Sequence, residues 1–177
     1  MYADNTLTPK EATRLCALGI LADGPIAYAE LASGVRHFVT HVMGPSLDVL
    51  GTSIELLKHE GLVTPISGDK DKAVLKITDE GLSELRTLLT AKIKTAENDL
   101  NKLVIALKFR FMDLLDANER LLQLDLLSDS AESELARLED LRAHHADDST
   151  HLTEWLDREI EDLERRLDWL NAKRERV

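Results

Sequence analysis

Three histidines and two aspartates crowd the segment from His144 through His145, Asp147 and Asp148 to His151. Imidazole and carboxylate are zinc-ligand types, but a metal needs them converging on one point. These residues are strung along a predicted polar loop between helices, so a solvated loop is expected and no metal site. Cys16 is the one cysteine of the chain, which leaves no intrachain disulfide and no multi-cysteine zinc site. A reactive thiol needs an exposed, electropositive setting. Cys16 has apolar helical neighbours with only Arg14 nearby, so a buried, inert thiol is expected. Trp155 and Trp169 are two heptads apart and share a helix face. They suit packing at a subunit interface or, less simply, an aromatic lining for a flat ligand. The chain holds no glycine-rich phosphate loop, no nucleophile elbow and no His-Glu-x-x-His pair. It is not expected to be an enzyme, and it implies no cofactor.

The elements that carry these residues follow from turn signals and apolar spacing. Thr8-Pro9-Lys10-Glu11 predicts a helix start with a capping box and proline at the first helical position. Leu15, Leu18, Ile20 and Leu21 continue it to the breaker Asp23-Gly24-Pro25. A second helix is predicted from Ala27 to about Thr40 on Tyr28, Leu31, Ala32, Val35 and Val39. A third runs from Ser46 to about Glu60 on Leu47, Leu50, Ile54 and Leu57, with Gly61 as its stop. Two β-prone runs, Leu62–Ile66 and Ala73–Ile77, flank a polar turn and predict a hairpin. Thr78 caps a fourth helix, which the pattern extends over about 79–115. Further helices follow, with a break at Asp116-Ala117-Asn118-Glu119 and an interruption at Ser128-Asp129-Ser130. In the last helix, about 151–175, Leu156, Ile160, Leu163, Leu167 and Leu170 are spaced 4, 3, 4 and 3 apart, a heptad seam.

Aromatics make up only 4% of the chain while charged residues reach 31%, so the core must be aliphatic and the helices amphipathic. No apolar run approaches a membrane span of about 20 residues, and the N-terminus lacks the features of a signal peptide. A soluble, cytoplasmic protein is expected. The net charge of −11 opposes approach to phosphate, so nucleic-acid binding would need a local basic patch.

Three helices followed by a hairpin, within about 70 residues, form the winged helix–turn–helix pattern. The expected fold is mainly α, with a winged-helix domain over 1–90 and a helical dimerisation domain over 91–177. The pattern resembles the PadR family of transcriptional regulators. The likeness is carried by Leu18-Gly19-Ile20-Leu21-Ala22-Asp23-Gly24-Pro25-Ile26, Glu30-Leu31-Ala32, Glu60-Gly61-Leu62-Val63 and Lys76-Ile77-Thr78-Asp79-Glu80-Gly81. It implies a homodimeric regulator of repressor type whose third helix reads DNA and whose hairpin is the wing. Ser46, Thr52 and Ser53 would then face the groove, and Lys70, Lys72 and Lys76 would hold phosphates. Trp155, Leu156, Ile160, Leu163, Leu167, Trp169 and Leu170 would form the dimer seam. Where the family has a tyrosine element early in the third helix, this chain has Asp48-Val49-Leu50-Gly51. Asp48, Gly51 and the negative charge favour an alternative, a winged-helix dimer that has lost DNA binding and docks a protein. A small-molecule effector is compatible with either.

Overall fold

The computed structural model describes residues 6–43, 50–69, 72–93, 99–145 and 150–177. They fall into two compact units, Met1–Leu115 and Asp116–Val177.

In the first unit, α1 (Pro9–Ala22) begins as its sequence dictates. The Thr8 backbone N–H donates to Glu11 Oε2 at 2.7 Å, and the Glu11 N–H donates to Thr8 Oγ1 at 3.3 Å. The helix is central to the unit: Leu15, Leu18 and Leu21 are buried together with Ala12, Cys16 and Ala17. After Gly24-Pro25 the backbone is extended, and Ile26–Ala27 forms a short strand, β1, opposite Leu75 and Val74. The apolar spacing opens the second helix at Ala27. Pairing with the sheet takes Ile26 and Ala27 instead, so α2 starts one residue later and spans Tyr28–Met43. The predicted two-stranded wing is accordingly part of a three-stranded antiparallel sheet. Its order is β1, β3 (Val74–Ile77), β2 (Val63–Ser67). Proline is tolerated at position 65 because β2 is an edge strand, where a missing N–H costs no ladder bond.

α3 (Leu50–His59) buries Ile54 and Leu57 and stops at Gly61. The Leu62 N–H donates to the Leu57 carbonyl at 2.9 Å and the Gly61 N–H to the Lys58 carbonyl at 3.1 Å. This is a Schellman cap, and Gly61 has the positive φ of 73° that such a cap requires. Thr78 then ties three elements together. Its hydroxyl donates to the Gly61 carbonyl at 2.8 Å and accepts the Gly81 N–H at 3.0 Å, and its own N–H donates to the Leu62 carbonyl at 3.0 Å. The end of α3, the exit of the sheet and the start of α4 (Asp79–Leu89) are thereby locked at one point. A Cβ on Gly81 would lie 2.1 Å from the Leu62 carbonyl oxygen.

The continuous helix predicted over about 79–115 is two helices. α4 ends at Leu89, and α5 (Asp99–Phe111) follows, then a 3-10 turn, Met112–Leu114. What holds the break is Lys108. It is 1% exposed, and its Nζ lies 2.7 Å from both the Leu89 and the Ala91 carbonyl oxygens at the end of α4. A cation there meets the negative end of the helix dipole. α5 also buries Leu103, Val104, Leu107 and Phe111 in the core built on α1. The Phe111 ring lies so close to Gly19 that a Cβ there would come within 2.4 Å of it. This packing places α5 within the first compact unit, which ends at Leu115.

The second unit is a helical hairpin. Asp116 caps α6 (Ala117–His144) in a reciprocal box with Glu119. The helix runs unbroken through Ser128-Asp129-Ser130, where the sequence predicts an interruption, with Leu124, Leu127 and Ala131 buried on either side of it. α7 (Thr150–Arg174) pairs with it antiparallel. The ion pairs Arg142–Asp157 at 2.6 Å and Asp125–Arg174 at 3.0 Å fix the register, since equal lengths of α6 and α7 separate the two.

Both tight points of the first unit can be tested by substitution. Gly81→Ala should lower unfolding free energy by about 1–3 kcal/mol, the usual cost of forcing an atom into a packed site. Urea titration would read it, and an unchanged midpoint would show that the Leu62 carbonyl yields without cost. Burial pushes the Lys108 ammonium from its ordinary 10.5 down to about 8. Between those values the unfolded chain binds more protons than the folded one, so stability rises with pH across the window. The neutral amine keeps two N–H donors for its two carbonyls. Relative to Lys108→Met, the wild-type protein should gain up to about 3 kcal/mol between pH 8 and 10.5. Parallel pH profiles of the two would contradict this.

Candidate nucleic-acid interface

The α2–α3 pair and the β2–β3 hairpin present the surface that the sequence pattern assigns to DNA. α3 turns Ile54 and Leu57 inward, so its outer face includes Glu55, Leu56 and His59, all exposed. Thr52 and Ser53 lie in the first turn of α3, one helical turn before Leu56 in the case of Thr52. The side chains of Thr52 and Ser53 lie outside the described residues, as do Ser46 and Lys70 entirely.

Lys72 and Lys76 are both exposed. Lys76 is held on β3 opposite Thr64. Lys72 follows the wing turn, where its N–H donates to the Asp69 carbonyl at 3.1 Å. Gly68 has φ 72° there, and a Cβ would meet the Lys72 carbonyl at 2.4 Å, so the turn demands glycine. The structure thus brings Lys72 and Lys76 onto the same hairpin.

Other cations near α3 are engaged by carboxylates. Lys58 Nζ is 3.2 Å from Glu55 Oε2. Arg14 on α1 pairs with Glu60 at the end of α3 and lies 3.6 Å from Glu84 on α4. This Arg14 bridge is not legible in the sequence, because its partners lie far along the chain and no local spacing marks them. The exposure of Leu56 could have been found: once Ile54 and Leu57 define the inner face, position 56 must point away from it.

The residues assigned to the dimer seam divide in three. Leu156, Leu163 and Leu170 are buried along α7, in the unit where α7 packs on α6 of the same chain, while Ile160 and Leu167 are half-buried. Trp155 and Trp169 stand 52% and 47% exposed, and Leu122 on α6 is 62% exposed. Lys173 Nζ sits 5.5 Å from the centre of the Trp169 ring.

The remaining sequence candidates take separate places. Cys16 is fully buried, and desolvation pushes its thiol up to about 12, against a smaller opposing effect of Arg110. His144 Nδ1 approaches the Asp140 carbonyl at 2.9 Å, and His151 lies 4.0 Å from Glu154. Asp147 and Asp148 are outside the described residues. Among the described residues no group of three or more histidine, cysteine or acidic side chains converges on a point. A groove of about 260 Å³ in the first unit is walled by Leu82, Leu85, Leu89, Leu114 and Leu115 with Arg86. Among the described residues no helix is long and apolar enough to cross a membrane.

Comparison with known proteins gives a family match over nearly the whole chain. Residues 2–173 match the family described as "Putative AphA-like transcriptional regulator". No curated protein matches. Among solved structures the chain is similar to Bacillus subtilis PadR in complex with operator DNA, at 21% identity over 92% of this chain and 97% of that one, with a TM-score of 0.37. The same protein in complex with p-coumaric acid is 20% identical over 93% and 97%, with a TM-score of 0.38. A further structure of PadR from the same organism gives 19% over 94% and 95%, with a TM-score of 0.41. At such low scores the family assignment rests on the family match, which agrees in class with the regulator motifs of the sequence. With α1, α2, α3 and the β2–β3 wing in their expected order, the chain belongs to the AphA-like family of transcriptional regulators.

Proposed function

We propose that this chain acts in the cytoplasm as a homodimeric, DNA-binding repressor of PadR type. The observation that carries the proposal is a helix–turn–helix and wing in a chain matched almost end to end by a regulator family. In this reading α3 enters the major groove with Thr52 and Ser53 toward the bases, Ser46 ahead of it in the chain joins them, and Lys70, Lys72 and Lys76 grip phosphates from the wing. The domain organisation is a DNA-reading domain over 1–90 and a dimerising one over 91–177. α5 belongs to the second by role, although it packs in the first compact unit. Two copies would meet through α7. Trp155 and Trp169 supply exposed aromatic surface, and Ile160 and Leu167 the partly covered part of the seam.

A second reading has its own support. The outer face of α3 carries Glu55 and the exposed Leu56, Lys58 is paired with Glu55, and the chain's net charge is −11. Base edges are read chiefly by Arg, Lys, Asn and Gln. An acidic face with an exposed leucine suits a protein partner instead, and in that reading the dimer is an adaptor without DNA binding. A small-molecule effector is open to either reading.

Fluorescence anisotropy against DNA upstream of the protein's own gene, with a scrambled control and at two salt concentrations, separates them. Sequence-selective binding that weakens with salt supports the repressor; equal or absent binding to both DNAs favours the adaptor. If the wing holds phosphates, replacing Lys70, Lys72 and Lys76 with alanine should weaken binding. It should also reduce the salt slope by about 0.9 for each phosphate the lysines had neutralised. An unchanged slope would remove the wing from the interface. Trp155→Ala with Trp169→Ala should shift the dimer toward monomer in light scattering, and a monomeric wild-type protein would end the dimer proposal.

A further inference from the structure

α2 turns Leu31, Val35 and Val39 into the core and leaves Glu30, Ser33, Arg36, His37 and His41 exposed. His37 and His41 are one helical turn apart, so they project from the same side of the helix. Their ring centres are 4.1 Å apart and their planes are inclined at 38°. His41 Nδ1 lies 2.7 Å from the His37 carbonyl oxygen. A carbonyl only accepts, so Nδ1 carries the proton and the lone pair is left on Nε2. This is how metal-binding imidazoles are commonly held, with one ring nitrogen donating to a carbonyl and the other free to ligate.

We propose that His37 and His41 form a two-imidazole site for a borderline divalent transition-metal ion of the zinc, nickel or copper class. Two histidines four residues apart on a helix can occupy neighbouring positions around one ion. Imidazole suits these metals, and water or a donor from another molecule fills the remaining positions. Glu30 lies two turns before His37 on the same side and adds a favourable charge. Arg36 beside the pair and Arg110, stacked on Phe38 at 4.5 Å, oppose the ion and limit its affinity. The bound ion would staple the last turns of α2, the first helix of the helix–turn–helix.

Isothermal titration of the full-length protein with Zn²⁺ and Ni²⁺ tests this. It is run beside His37→Ala, His41→Ala and a control carrying His144→Ala with His151→Ala. One ion per chain is expected, lost in either α2 variant and retained in the control. In a zinc titration followed by long-range ¹H–¹⁵N spectra, the rings of His37 and His41 should shift together. Both residues are exposed, so circular dichroism should report unchanged helix in the variants. Binding that survives His37→Ala or His41→Ala, binding lost only in the control, or no binding by the wild-type protein overturns the proposal.

Discussion

The hydroxyl of Thr78 and the bare Cα of Gly81 fix the geometry on which the first unit depends. The hydroxyl accepts from the start of α4 and donates to the carbonyl that ends α3, while the Thr78 N–H reaches the neighbouring Leu62 carbonyl. Only glycine lets α4 approach that carbonyl so closely. Three hydrogen bonds at a strand exit thus join three separate elements into one frame. The angle between α3 and the hairpin is set by short hydrogen bonds rather than by side-chain packing alone. A surface that must fit a partner of fixed shape benefits from such a frame.

Much of this was legible in the sequence because it is local. Thr8 with Glu11, Gly61, and Thr78 with Gly81 are all capping signals whose partners lie within a few residues, and each formed as written. The elements that escaped are governed by distant groups. Ile26 and Ala27 are extended because β3 lies beside them, and β3 is nearly fifty residues away. The helix predicted over about 79–115 divides because Lys108 spends its charge on the carbonyls at the end of α4. A lysine in an apolar stretch gives no hint of that until the fold brings the two together. Periodicity likewise identifies the seam on α7. It does not tell that Leu156, Leu163 and Leu170 are buried within the chain while the tryptophans stay exposed.

The candidate interface is a contest between shape and charge. The helix–turn–helix and wing provide the shape, and Lys72 and Lys76 stand exposed on the hairpin. Carboxylates engage the cations around α3: Glu55 takes Lys58, and Glu60 and Glu84 share Arg14. The Arg14–Glu60 pair ties the end of α3 to α1, and all of these pairs withdraw positive charge from the surface that phosphate would meet. In a chain of net charge −11, any electrostatic steering toward nucleic acid would draw on exposed cations such as Lys72 and Lys76 of the wing and Arg36 of α2.

Pro65 has a meaning beyond the hairpin that contains it. Among the described residues the sheet has two edge strands. One is β1, only two residues long, and the other is β2, where proline interrupts the row of donors. Neither offers a run of unpaired N–H groups on which a further strand could template. Edge-to-edge pairing between crowded copies is thereby disfavoured.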